Sequence, residues 1–173
     1  MKLILIGYMG SGKSSVGKVL AGQLSVNFLD LDAEISAEEN KSIPQIFSDH
    51  GEIYFRRKEA EVLKKLLEKE EGCVLSLGGG TPCYGKNMEL IKAAPKATSI
   101  YLKTGLLQLT ERLMVEKEHR PLIKDLDSSE ALEDYIRKHL FERTFYYNQS
   151  DLIVSTDGKS VDEVVAAIAE ELD

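Results

Sequence analysis

The 173-residue chain lacks the features that would assign it to a membrane, a disulfide scaffold or a nucleic acid. No stretch approaches the roughly 18 consecutive apolar residues of a membrane span. The first residues lead straight into an apolar strand, so no secretory leader is expected. Cys73 and Cys83 are the only cysteines. They are too few and too unpatterned for a disulfide framework or a zinc site, and both read as buried or half-buried thiols. His50, His119 and His139 are not clustered and read as surface residues. There is no basic run to neutralise a phosphate backbone, and the formal charge of −7 argues against a nucleic-acid partner. No repeat, low-complexity tract or Pro/Gly/Ser-rich linker interrupts the chain, so residues 1–173 are expected to form a single domain. With 43% hydrophobic and 29% charged residues, that domain is long enough to bury a real core, and a cytoplasmic location is expected.

What is present is sharply defined near the N-terminal end. Gly7-Tyr8-Met9-Gly10-Ser11-Gly12-Lys13-Ser14 fits G-x-x-x-x-G-K-[ST] at every fixed position. Lys2-Leu3-Ile4-Leu5-Ile6 before it reads as a strand buried on both faces. Val16, Val19, Leu20 and Leu24 after it recur at helical spacing. A strand, a glycine-rich loop and a helix N-terminus together form a cradle for phosphate oxygens. In that cradle Lys13 reaches the β- and γ-phosphates and the Ser14 hydroxyl is a Mg²⁺ ligand. A nucleoside triphosphate is the expected ligand.

The rest alternates between β and α. Strands are expected at Asn27–Asp32, Cys73–Leu77, Thr98–Leu102 and Leu152–Ser155, and helices at about 33–40, 52–70, 105–115 and 129–147. Ser42 reads as an N-cap with Pro44 in the following first turn, and Ser160-Val161-Asp162-Glu163 as a capping box for the last helix. Residues 116–127 read as charged and irregular. Five strands alternating with helices mean an α/β fold, a five-stranded parallel sheet flanked by helices on both faces. Ligands of such sheets bind beyond the carboxyl ends of the strands.

The polar residues placed there are the candidates. Asp30 and Asp32, two apart, would share one face of a strand. One would assist Mg²⁺ through water and the other would meet an acceptor hydroxyl, with helix capping by Asp32 as the plainer role. Glu59 interrupts the apolar stripe of Phe55, Val62, Leu63 and Leu66, with Arg56 within i,i+3 reach. The pair is either an ordinary exposed helix contact or a carboxylate holding a guanidinium fork ready for an anion. Arg57 and Lys58 read as solvated. Gly78, Gly79 and Gly80 permit close backbone approach to a ligand or make a simple turn, and Ser76 could hold a metal-bound water. Arg143 shares a helical face with Leu132, Tyr135, Ile136, Leu140 and Tyr147, facing a cleft or snorkelling at its rim. Arg120, on a charged loop beside Pro121, is the candidate for closure over the phosphates.

Taken together these residues resemble the shikimate kinase family over essentially the whole length. The match rests on the phosphate loop with Gly17 beyond it, Asp30-Leu31-Asp32, Phe55-Arg56-Arg57-Lys58-Glu59, Leu77-Gly78-Gly79-Gly80, Arg120-Pro121-Leu122 and the late arginine. The resemblance implies a P-loop kinase fold with a mobile lid at roughly 112–126 and a substrate-binding region at roughly 32–60. It implies ATP-dependent phosphorylation of the shikimate 3-hydroxyl on the route to aromatic amino acids, by a monomer with shikimate and ATP as its partners and Mg²⁺ as cofactor. Lys13, Asp32 and Arg120 would be catalytic. Asp32, Arg56, Arg143 and the Gly78–Gly80 backbone would bind shikimate, with Glu59 holding Arg56. Gly10, Ser11, Gly12, Lys13, Ser14, Ser15, Arg112 and Arg120 would bind the nucleotide, Arg112 at the adenine, and Ser14 and Asp30 would serve the metal. The family often has Lys-Arg-x-Pro-Leu-Tyr around the late arginine, where this chain has Glu142-Arg143-Thr144-Phe145-Tyr146, and the adenine loop near 156–159 is less diagnostic. A gluconate or nucleoside monophosphate kinase of the same fold, and a P-loop regulator that binds nucleotide without an acceptor, are the competing readings.

Overall fold

A computed structural model describes residues 1–120 and 122–172. Five strands run parallel in the order β2-β3-β1-β4-β5, where β1 is Lys2–Ile6, β2 Asn27–Asp30, β3 Cys73–Ser76, β4 Ala97–Lys103 and β5 Leu152–Ser155. Every pairing in the sheet is parallel, from Asn27 opposite Cys73 at one edge to Lys103 opposite Ser155 at the other. β1 lies at the centre and is buried along its whole length. Its side chains alternate between two cores. Leu3 and Leu5 pack with Val16, Leu20, Val164 and Ile168 of α1 (Lys13–Leu24) and α7 (Val161–Leu172). Ile4 and Ile6 pack on the other face, with α2 (Leu31–Glu39), α3 (Ile43–Glu68), α4 (Asn87–Ala93), α5 (Leu106–Glu116) and α6 (Ser129–Tyr147). The period-2 alternation of a strand therefore feeds two helical layers, and the expected parallel sheet with helices on both faces is what forms.

The element boundaries depart from the sequence reading in ways that bear on the site. β2 ends at Asp30, and α2 begins at Leu31 rather than Ala33. Asp30 is the N-cap, accepting the Ala33 N–H at 3.2 Å, so capping falls to Asp30 and not Asp32. The two carboxylates are not on one face of a strand. Asp32 sits in the first turn of α2, where a negative charge favours the helix N-terminus.

α3 starts at Ile43, nine residues before the expected helix, on a capping box in which Ser42 and Gln45 satisfy each other. Gly51, at φ 79° and ψ 176°, breaks it into two helical pieces, and the second carries Arg56 and Glu59. α4 and a 3₁₀ turn at Thr81–Cys83 fill a stretch with too few turns of periodicity to read in advance. The irregular segment after α5 contains a 3₁₀ turn, Lys117–His119. The Ser160 and Glu163 capping box forms as expected. Cys73 is buried and Cys83 half-buried, both as free thiols. Lys58 is not merely solvated: it bridges Glu38 and Glu39 of α2 and Glu61 of α3. Pro121 and the His119 side chain lie outside the described residues.

Candidate active site

At the carboxyl end of the sheet, a cleft of about 290 Å³ is lined by Gly10, Gly12, Lys13, Ser14 and Ser15 on one side and by Asp30, Asp32, Ser76, Gly78 and Gly79 on the other, with Glu116 and Arg120 at its edge. The loop after β1 makes its turns at Gly10 (φ 81°) and Gly12 (φ 94°), left-handed positions that disfavour any side chain. Gly12 is also the N-cap of α1, and no side chain caps that helix. Its first N–H groups are thus left for an anion, with the helix dipole behind them. The Lys13 ammonium lies across the loop and donates to Gly7 O at 2.8 Å and Tyr8 O at 2.9 Å. Burial, with Arg120 the next contribution, pulls its pKa down to about 8. A polyanion would add to the counter-charge that Asp30 and Asp32 supply.

The Ser11 hydroxyl is buried without a hydrogen-bond partner among the described residues. Like the uncapped helix, it fits a loop built to wrap phosphate oxygens. Arg112 donates to Gly10 O at 3.1 Å, bracing the outside of the loop. Arg120 is ion-paired with Glu116 one turn earlier, at the cleft edge.

Beside the start of the loop, the segment from Gly78 to Tyr84 gathers Asp32, Arg56, Glu59 and Arg143. A Cβ on Gly78 would lie 3.4 Å from Asp32 Oδ1, one on Gly79 3.4 Å from Arg143 Nη1, and one on Gly80 3.2 Å from Arg56 Nη2. The three glycines therefore sit among Asp32, Arg56 and Arg143, where side chains would crowd these groups and whatever they hold. Glu59 is 1% exposed, which decides between the two readings of the Arg56 pair. It accepts from Arg56 Nη1 at 3.0 Å and from the Thr81 hydroxyl at 2.7 Å. A buried carboxylate with two donors is a fixed anchor, unlike a fluctuating surface pair. The Arg56 guanidinium also stacks over the Tyr84 ring at 3.6 Å. Arg143 comes from α6, its guanidinium 5.5 Å from the centre of the Tyr8 ring, and the adjacent Tyr147 hydroxyl donates to Gly79 O at 2.6 Å. Burial raises the Asp32 pKa to about 6, reinforced by Asp30 and Glu59. That value leaves a carboxylate able to take a proton near neutrality.

Thr81 and Tyr84 were not among the sequence candidates. They follow the glycines, where nothing in periodicity or charge sets them apart, and only folding brings them to Glu59 and Arg56. Thr81→Val keeps the shape and removes one donor from the buried carboxylate. A loss of about 1.5–3 kcal/mol is expected by urea denaturation. No measurable change would mean that Glu59 is anchored by Arg56 alone.

Asp30, Asp32 and Ser14 share the cleft, but no group of three or more His, Cys, Asp or Glu side chains able to hold a metal occurs among the described residues. A hydroxyl and one or two carboxylates, completed by phosphate oxygens and waters, is the donor set that Mg²⁺ favours. The residues therefore fit a magnesium ion that arrives with a nucleotide.

A family profile described as shikimate kinase matches residues 9–173. A shikimate kinase of Flavobacterium johnsoniae is 44% identical over 167 residues, 96% of each chain. Among solved structures, a shikimate kinase from Bacteroides thetaiotaomicron superposes with a TM-score of 0.90 at 32% identity, covering 99% of this chain and 98% of that one. A shikimate kinase from Acinetobacter baumannii in complex with shikimate gives 0.86 at 31% identity, covering 99% and 92%.

Proposed function

The chain belongs to the shikimate kinase family, and on that basis we infer how its cleft divides the work of phosphorylating shikimate with ATP. The observation that carries the reading is the placement of two guanidinium groups, Arg56 and Arg143, around Gly79 and Gly80, where Gly79 abuts Gly7 and Met9 of the phosphate loop. Two such forks suit one small carboxylic acid. A nucleotide acceptor would need a further cluster of arginines for its own phosphate.

Arg56 and Arg143 grip the shikimate carboxylate, and Glu59, Thr81 and Tyr84 hold Arg56 in place. Asp32 orients the 3-hydroxyl and takes its proton as the oxygen attacks the γ-phosphorus and the bond from that phosphorus to the β–γ bridging oxygen breaks. The products are shikimate 3-phosphate and ADP. The loop N–H groups of residues 10–15 and Lys13 balance charge on the phosphates. Arg120 leaves Glu116 to meet the transferring group as a lid at roughly 112–126 closes, and Arg112 takes the adenine. Residues 32–60 form the acceptor-binding region of a single domain. Ser14, with Asp30 through water, would hold Mg²⁺, which when bound neutralises phosphate charge. No helix among the described residues is long and apolar enough to cross a membrane, and we place the enzyme in the cytoplasm as a monomer.

ADP release measured with ATP and Mg²⁺ tests the assignment, with shikimate, gluconate, a nucleoside monophosphate and no acceptor run in parallel. Release should depend on shikimate, stop with a chelator and return with added Mg²⁺. Release that follows gluconate or the nucleotide instead would overturn the acceptor assignment. Turnover that survives the chelator would overturn the metal.

A further inference from the structure

One buried aromatic residue that the transfer step does not use joins the phosphate loop to α6. Tyr8 follows Gly7 in that loop, is 1% exposed, and packs in the same core as Ile136 and Tyr147 of α6. Its hydroxyl lies 2.9 Å from Nδ1 of His139, 131 residues away. His139 is half-buried, not the surface residue expected of an unclustered histidine. The Tyr135 ring meets its imidazole edge-on at 4.3 Å. Arg143 lies one helical turn beyond His139, and its guanidinium stands 5.5 Å from the centre of the same Tyr8 ring. Tyr8 thus contacts both an imidazole nitrogen and the arginine assigned above to the carboxylate.

We propose that His139 is a positioning residue: its neutral imidazole accepts the Tyr8 hydroxyl and so holds α6, and Arg143 with it, in register with the phosphate loop. The inference rests on the assignment of Arg143 to the acid. The phenol donates, so the imidazole keeps its proton on Nε2. Protonation of Nδ1 reverses the bond, so that the phenol oxygen must accept and its hydrogen turns away from the imidazole. It also adds a positive charge to an environment that already holds Arg143 and Lys138, against Glu142 alone on α6 and the neutral Tyr8 and Tyr135. Burial and Arg143 both hold the His139 pKa below its ordinary 6.5, which keeps the accepting form at neutral pH. Acidification that charges the imidazole sets it against Arg143, strains the register and weakens acid binding while leaving the nucleotide side alone.

His139→Leu, His139→Gln and Tyr8→Phe separate this role from simple packing. His139→Leu and Tyr8→Phe should each raise KM for shikimate about five- to tenfold, the scale of one buried hydrogen bond, with KM for ATP and kcat nearly unchanged. Their double variant should be no worse than either alone. His139→Gln, whose amide oxygen can accept, should restore KM. In the wild type, KM for shikimate should climb as pH falls below 6.5, and that component should be missing from His139→Gln. Asp32 is present in both proteins, so the difference between the two profiles belongs to His139. Titration of the His139 ring by NMR needs no turnover: its pKa should rise towards 6.5 in Tyr8→Phe, because a hydrogen bond to the neutral form is lost. An unchanged pKa there, additive losses, or His139→Gln as impaired as His139→Leu would each overturn the coupling. A wild type that does not phosphorylate shikimate would overturn the acceptor assignment instead, with the NMR result still reporting on the pair.

Discussion

Lys13→Met is expected to lower turnover by at least about a thousandfold while leaving the fold intact. Loss of a preorganised charge at the transferring phosphate removes stabilisation that nothing else in the cleft replaces. The fold should survive because, among the described residues, the ammonium bonds only to the carbonyls of Gly7 and Tyr8 and bridges no elements. Its pKa is lower in the folded chain, about 8 against an ordinary 10.5, so the charged form is disfavoured by folding. Between those values the unfolded chain binds more protons, and wild-type stability should rise with pH. Lys13→Met should lack that rise and melt no lower than the wild type at pH 7. Activity assays and thermal melts across pH 7–10 on both proteins check this. Near-normal turnover in the variant would remove Lys13 from the phosphate site.

Arg56→Lys should raise KM for shikimate by roughly 30- to 100-fold and change KM for ATP by no more than about twofold. A lysine keeps the charge but loses the planar fork, which here performs three tasks at once. It bonds Glu59 through Nη1 at 3.0 Å, stacks on Tyr84 at 3.6 Å and presents Nη2 beside Gly80. An ammonium reaching back to Glu59 offers a carboxylate neither a coplanar pair of N–H groups nor a flat face to stack on Tyr84. Because Glu59 is buried, a modest loss of thermal stability should accompany the change. Steady-state kinetics with each substrate varied in turn decides the matter. Equal effects on both KM values would mean that Arg56 shapes the cleft as a whole and does not grip the acid.

Much of the fold was legible because its signals are local. β1, the glycine loop and α1 follow from an apolar run, two left-handed positions and a helical stripe, all within the first two dozen residues. The parallel sheet follows from the alternation of elements, and the family from motifs whose order and spacing are linear facts. Boundaries were harder. The apolar character of Phe28 to Leu31 continues past the point where Asp30 caps α2, and only the backbone shows the strand ending there. Gly51 likewise allowed a helix to begin at Ile43 and still turn before Phe55.

The sequence by itself supplied the candidates: a phosphate loop, two carboxylates at Asp30 and Asp32, a glutamate interrupting an apolar stripe with Arg56 within reach, and Arg143 on another apolar face. Tertiary structure alone decided which groups stand around those residues. Thr81 and Glu59 are 22 residues apart, Tyr147 and Gly79 68, and Tyr8 and His139 131, and none of these pairings leaves a trace in periodicity. The reason is physical. A side chain's preference for a helix or a strand is set by its near neighbours along the chain. The hydrogen bond that satisfies a buried hydroxyl or carboxylate is set by whichever element the packing brings to it.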